Sequence, residues 1–282
     1  MNPGYALAAV ASLLWGGADF LGGFAARRAR APLVACVSGV GALAVLVAFM
    51  PFMPGSPAPA DLAWGAAAGV SGAAGASLMY RSLALGPMSL AAPVFSLVGL
   101  SVPVLFGVAA GERPSPLAWA GVALAALAIP LLSMTGEGPG RHSRAHVRRT
   151  LAVALAAGLV IGWFLVFVAR IGVGAGLMPL AVARGVAMGL LGGWLWLRGQ
   201  SLRPTIAARG PALAAGVLDS AANVGFLIAV HRAPLVLVSA LVSLAPGTTV
   251  VVARLALGER WSVAQGMGLL VALAAGVCIS VG

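Results

Sequence analysis

Three side chains able to carry charge or a strong hydrogen bond fall at similar depth in neighbouring apolar runs. Arg184 lies about 10 Å from one face of its run, counted at 1.5 Å per residue, and Asp219 about 14 Å from the opposite face of the next. Neighbouring runs are antiparallel, so across a ~30 Å hydrocarbon layer the two differ in depth by only ~6 Å, which an Arg side chain spans. Asn223 follows Asp219 by one turn on the same helix face. Arg184, Asp219 and Asn223 therefore make one candidate polar cluster. The guanidinium suits a carboxylate or other anion, and Asp219 with Asn223 suits a cationic or hydrogen-bonding group. The competing reading is a closed ion pair joining two helices, with Asn223 as interhelical glue. Asp19 sits ~9 Å inside another run. A carboxyl there can exchange protons, as a proton-coupled antiporter requires, or reach back to Arg27 or Arg28 as an anchor. A charge near a bilayer centre costs roughly 2.5–3.5 kcal/mol on insertion scales, so each of these residues implies a partner or a wet cavity.

Other residues could shape such a cavity. Trp15, Tyr80, Trp163 and Phe164 can stack on a substrate or simply pack, and Trp64, Trp119, Trp194, Trp196 and Trp261 fit better as interface anchors. Pro93 and Pro103 interrupt one run, and Pro246-Gly247 interrupts another. Proline in a spanning helix frees a backbone carbonyl, so interrupted helices point to a binding site or a hinge. Ser96 and Ser243 neighbour these breaks as candidate ligands, or as hydroxyls bonded back to their own helix. Glu112 and Glu259, beside Arg113 and Arg260, read as local salt bridges or helix-end caps. The three His and the two cysteines, Cys36 and Cys278, form no metal or disulfide pattern, so no metal and no cofactor are expected. No HExxH and no Ser/His/acid set falls within the runs, so the chain is not expected to be an enzyme.

The elements that position these residues must be membrane helices. Hydrophobic residues make up 61% and charged residues 8%, against about 25% charged in a soluble domain. Ten spans of bilayer-crossing length are predicted, near 5–24, 32–52, 62–81, 88–109, 116–134, 151–170, 177–197, 210–230, 235–256 and 262–281. The first is full length with no basic leader, so it reads as a retained span. The chain also repeats itself. Gly111-Glu112-Arg113 recurs 147 residues later as Gly258-Glu259-Arg260. The same shift lays Pro87 on Pro234, Leu90 on Leu237, Ser96 on Ser243, Leu97 on Leu244, Ser115 on Ser262 and Gly121 on Gly268. Residues 1–134 and 151–282 are thus two five-span repeats, joined by an Arg-rich linker, 135–150. Five is odd, so the second half must lie inverted relative to the first. A duplicated membrane unit points to a transporter.

The net charge of +11 comes from Arg alone, as the chain has no Lys. Thirteen of the 17 Arg fall in loops on one side and only Arg113, Arg170 and Arg232 on the other, with Arg184 inside a span. This is topology-setting charge rather than a nucleic-acid surface, and it places the Arg-rich side in the cytoplasm with both termini outside.

These features resemble the drug/metabolite transporter superfamily, specifically its ten-helix EamA-type members. The resemblance rests on the two five-span halves, on Gly86-Pro87 with its counterpart Ala233-Pro234, and on the two Gly-Glu-Arg closures. It rests also on Leu14-Trp15-Gly16-Gly17-Ala18-Asp19-Phe20-Leu21-Gly22-Gly23, similar to the first span of one bacterial subgroup. It implies inverted repeats around a cavity open alternately to each side, and export more often than import. It also implies cytoplasmic termini, against the Arg count. The expectation is an all-α membrane protein of ten transmembrane helices in two inverted repeats, in a bacterial inner membrane. It would be a monomer that carries an amino-acid-like or other zwitterionic or anionic metabolite by alternating access. Its partners are that solute, the lipid bilayer and protons as a coupling ion. The alternative is proton-coupled efflux of lipophilic cations, which Arg184 should repel.

Overall fold

The computed structural model describes residues 2–85, 88–134, 144–202, 205–257 and 262–282. In lipid every backbone polar group must be satisfied within its own segment, and apolar runs of this length do so as helices. They are α1 (Pro3–Ala26), α2 (Ala31–Phe49), α3 (Pro59–Leu85), α4 (Met88–Ala109), α5 (Pro116–Ser133), α6 (Arg144–Ala169), α7 (Met178–Leu197), α8 (Ile206–Val230), α9 (Leu235–Val242), α10 (Ala245–Leu257) and α11 (Val263–Val281). Seven of them are long and apolar enough to cross a membrane, and shorter apolar helices make up the remaining passes. No strand occurs among the described residues. The fold is an all-helical, multi-pass membrane fold.

Chain direction alternates, so α1, α3, α5, α7 and α9–α10 run from the end carrying both termini toward the Arg-rich end. The repeat partners of α1 and α2, which are α6 and α7, run the opposite way, as inversion demands. Packing obeys the same exchange. α1 packs on α8 as α6 packs on α3, and α2 packs on α8 as α7 packs on α3. α5 packs mainly on its own counterpart, α11. Repeat-related residues make matching contacts there. Gly121 faces the backbone at Ala275 and Ile279, while Gly268 faces Leu131 and Leu132, and Ile279 is itself the repeat partner of Leu132. Ser115 and Ser262, also repeat partners, cap α5 and α11 by accepting from Ala118 N and Gln265 N, each at 3.1 Å.

Two expectations change. The ninth pass is broken, into α9 and α10, but α4 runs unbroken through Pro93 and Pro103. The difference is local. Pro246 cannot donate to the carbonyl of Val242, and Ser12 Oγ from α1 donates to that carbonyl instead, at 3.4 Å. The chain turns at Ser243 and Leu244, with Gly247 N bonded to Leu244 O at 2.9 Å. The linker is also shorter than expected, because residues 144–150 already belong to α6. Of the residues singled out from the sequence, Gly86-Pro87, the rest of the linker, Arg203 and Gly258 to Trp261 lie outside the described residues.

Helices approach closely where glycine removes the side chain. A Cβ at Gly216 of α8 would overlap the Ser38 carbonyl of α2, and one at Gly69 of α3 would overlap the Ala183 carbonyl of α7. Gly69 and Gly216 are again 147 residues apart. Small-residue contact of this kind replaces the hydrophobic drive that lipid does not supply between helices. Gly216→Val should lower stability by about 1–3 kcal/mol through overpacking. Gly189→Ala, with no neighbour within 4 Å of the new methyl, should be neutral or mildly stabilising. Thermal unfolding of the two detergent-purified variants separates these outcomes.

Candidate functional site

A cavity of about 170 Å³ opens between the two halves. That is comparable with cavities that take a benzene-sized guest. Its wall is built from the middle of α1, α2, α3, α4, α6, α7 and α8 and from the break between α9 and α10. Among the residues read from sequence, Trp15, Asp19, Tyr80, Ser96, Arg184, Asp219 and Ser243 face it.

Arg184 and Asp219 form a direct ion pair through Nη2 and Oδ2, with side chains 17% and 24% exposed. Three side chains hold that pair in place. From α1, Trp15 Nε1 donates to Asp219 Oδ1 at 2.9 Å. From the next turn of α8, Asn223 Nδ2 donates to the same oxygen at 3.1 Å and to the Asp219 carbonyl at 2.6 Å. Phe226, fully buried, backs the Trp15 ring at 5.6 Å between centroids. The Asp219 carboxylate is thus occupied by three protein donors. The sequence pairs Asp219 with Asn223 as a cation or hydrogen-bond site, whereas here Asp219 positions Arg184. Asn223, 2% exposed, braces Asp219 from behind and is not part of the cavity wall. Its Oδ1 has no partner among the described residues.

Asp19 lies one turn beyond Trp15 on α1 and faces the same cavity. No hydrogen bond or ion pair engages it among the described residues, so the alternative anchoring to Arg27 or Arg28 is not what the structure shows. Tyr80, 5% exposed, lies edge-on against α1, where a Cβ at Gly22 would come within 2.5 Å of its ring and hydroxyl. Gly22 is therefore what lets Tyr80 reach the cavity. Ser243 Oγ donates to Ala240 O at 2.8 Å, a bond within its own turn. Trp163 is placed elsewhere. It is 46% exposed on the outer face of α6 and stacks on Phe167, which stacks on Trp64, with Arg170 over the Trp64 ring. The next residue, Phe164, turns inward and lines the cavity. Adjacent helix positions point about 100° apart, and one-residue rotation of this kind is not visible in an all-apolar helix. Phe95 and Ser38 also line the cavity, and nothing in their sequence surroundings marks them.

The cavity sits near mid-depth: its residues in α1, α2 and α3 lie in the halves of those helices nearer the Arg-rich end, while Ile161, Phe164 and Leu165 of α6 and Arg184 of α7 lie in the halves nearer the end carrying the termini. The end carrying the termini is tied shut between the halves. Asn2 Nδ2 donates to Arg232 O at 2.9 Å, and Asp61 Oδ1 accepts from Gly172 N at 2.7 Å. Glu112 accepts from Leu235 N and Val236 N at 2.8 and 2.9 Å. Glu112 is therefore a helix cap, but for the other half of the molecule and not for its own helix. At the Arg-rich end Ser262 Oγ donates to Met134 O at 2.6 Å, on the peripheral α5–α11 pair. No group of three or more His, Cys, Asp or Glu that could hold a metal occurs among the described residues.

Residues 2–134 match the model of the EamA-like transporter family. That stretch, just under half of the chain, is similar to the family. No curated protein matches the sequence. Eighteen solved chains match, among them one described only as "Crystal structure of protein". It superposes with a TM-score of 0.78 over 99% of this chain and 96% of its own, at 17% identity. That likeness is one of fold.

The ion pair gives a stability test. Asp219→Asn should cost about 1–3 kcal/mol, because it leaves a part-buried guanidinium without its charge partner. The double variant Arg184→Gln with Asp219→Asn should cost less than the single, as it leaves no unpaired charge. Thermal unfolding of both in detergent decides, and additive losses would argue against the pairing.

Proposed function

We propose that the chain is a secondary active transporter that carries a small zwitterionic or anionic metabolite, amino-acid-like in its charges, by alternating access. The observation that carries this reading is a guanidinium facing a small cavity between the halves, held by a carboxylate that protein donors already saturate. In this reading Arg184 receives the carboxylate of the solute. Asp19, the cavity carboxylate with no hydrogen bond or ion pair among the described residues, receives its cationic group or a coupling proton. Phe95, Phe164 and Trp15 enclose the apolar remainder. The division into repeats at 1–134 and 151–282, a monomeric state, a bacterial inner membrane and the export direction belong to the same proposal. The last of these rests on the family. The thirteen-to-three split of Arg favours a cytoplasmic Arg-rich end.

A second reading, proton-coupled efflux of lipophilic cations, draws on Asp19 among aromatic side chains. The two differ in their use of Arg184, which repels a cation. A thermal-shift screen of the purified protein against amino acids, nucleobases and lipophilic cations separates them, run on wild type and on Arg184→Gln. The zwitterion reading expects an amino acid to raise the melting temperature of wild type only. Stabilisation by a cation that survives Arg184→Gln, and is lost in Asp19→Asn, would replace it with the efflux reading.

A further inference from the structure

The repeated Gly-Glu-Arg motif has no part in the cavity, yet its first copy is fully engaged. α4 ends at Ala109, and Gly111 takes a φ of +98°, which turns the chain back. Glu112 N then donates to Gly107 O at 3.0 Å. Arg113 Nη1 donates to Val108 O at 3.2 Å and to Glu112 O at 2.9 Å. The Gly and Arg thus finish α4 locally. The Glu112 carboxylate is left to reach out of its own half.

It reaches the start of α9, where it is needed. α9 follows Pro234, has no side-chain cap of its own, and buries all eight of its residues. The first N–H groups of a helix have no partner within it, and leaving them bare in a buried site is costly. Glu112 Oε1 and Oε2 take the N–H groups of Leu235 and Val236, one each. A negative carboxylate also suits the positive end of the helix dipole. Space for it is provided by Gly107, where a Cβ would sit 2.8 Å from both Glu112 Oε2 and Val236 Cγ2.

Of the ties across the sealed end, this is the one attached to the broken pass. The far end of α9 supplies Val242 and Ser243 to the cavity wall. A movement of α9 that opened the sealed end would have to pull Leu235 and Val236 away from Glu112.

We propose that Glu112 is the latch that holds the terminal end of this transporter closed in the state the structure captures. The proposal rests on the alternating-access reading above. It assigns the Gly-Glu-Arg motif a conformational task, with Gly111 and Arg113 as the mount and Glu112 as the bolt.

The test uses the full chain with Cys36→Ala and Cys278→Ala, and with Ser243→Cys as a reporter in the cavity wall. A membrane-impermeant maleimide is applied from each side, in right-side-out and inside-out vesicles. A C-terminal tag, scored for accessibility, tells which side is which. Labelling of the reporter should be faster from the Arg-rich side. Glu112→Ala should raise labelling from the terminal side about tenfold, the order expected for losing a charge-assisted double cap. Glu112→Gln keeps one acceptor and should fall between. It serves as the readout if Glu112→Ala does not fold. Terminal-side labelling unchanged in both variants, with wild type still reached from that side during turnover, would overturn the latch and leave the transport reading standing. A reporter never reached from the terminal side in wild type, even during turnover, would overturn alternating access and the latch with it.

Discussion

Arg184 and Asp219 sit within membrane-spanning helices, and each charge is tolerable because the other faces it. That pairing sets demands on the rest of the bundle. The second carboxylate oxygen needs donors, so α1 must lie along α8 to bring Trp15 to it, and Asn223 must follow one turn later. Trp15 in turn needs Phe226 behind it. With its oxygens taken, Asp219 becomes a fixed mount, and the guanidinium is presented to the cavity rather than folded away from it.

Close helix approach makes this arrangement possible. Glycines at Gly69, Gly121, Gly216 and Gly268 let backbones touch across the halves, and they do so in repeat-related pairs. Packing is therefore symmetric under exchange of the halves. Among the described residues, side-chain ties between the halves at the terminal end run through Asn2, Asp61 and Glu112.

Much of this was legible in the sequence for physical reasons. Apolar length and Arg clusters mark the spans because lipid admits little else. The 147-residue shift is visible because Ser115 and Ser262 both cap helices and Gly121 and Gly268 both admit a neighbouring backbone. Depth counting put Arg184 and Asp219 near each other, since helical rise is constant. Rotation about the helix axis was not legible. In an all-apolar helix nothing distinguishes the inward Phe164 from the outward Trp163. Nor could spacing tell that Pro246 breaks its pass while Pro103 does not, because that depends on whether a neighbour such as Ser12 takes up the freed carbonyl. The reach of Glu112 was hidden as well. Sequence sets it beside Arg113, and only the packing of α4 on α9 shows where its carboxylate goes.

Function in this account stands on movement of solute through the cavity past Arg184. The most direct measurement is counterflow in proteoliposomes loaded with an unlabelled amino-acid mixture and diluted into the same mixture carrying radiolabel. The account predicts transient accumulation of label above that of empty liposomes, lost in Arg184→Gln at equal reconstituted protein. Accumulation that persists in Arg184→Gln, or none with wild type for any component of the mixture, would contradict it.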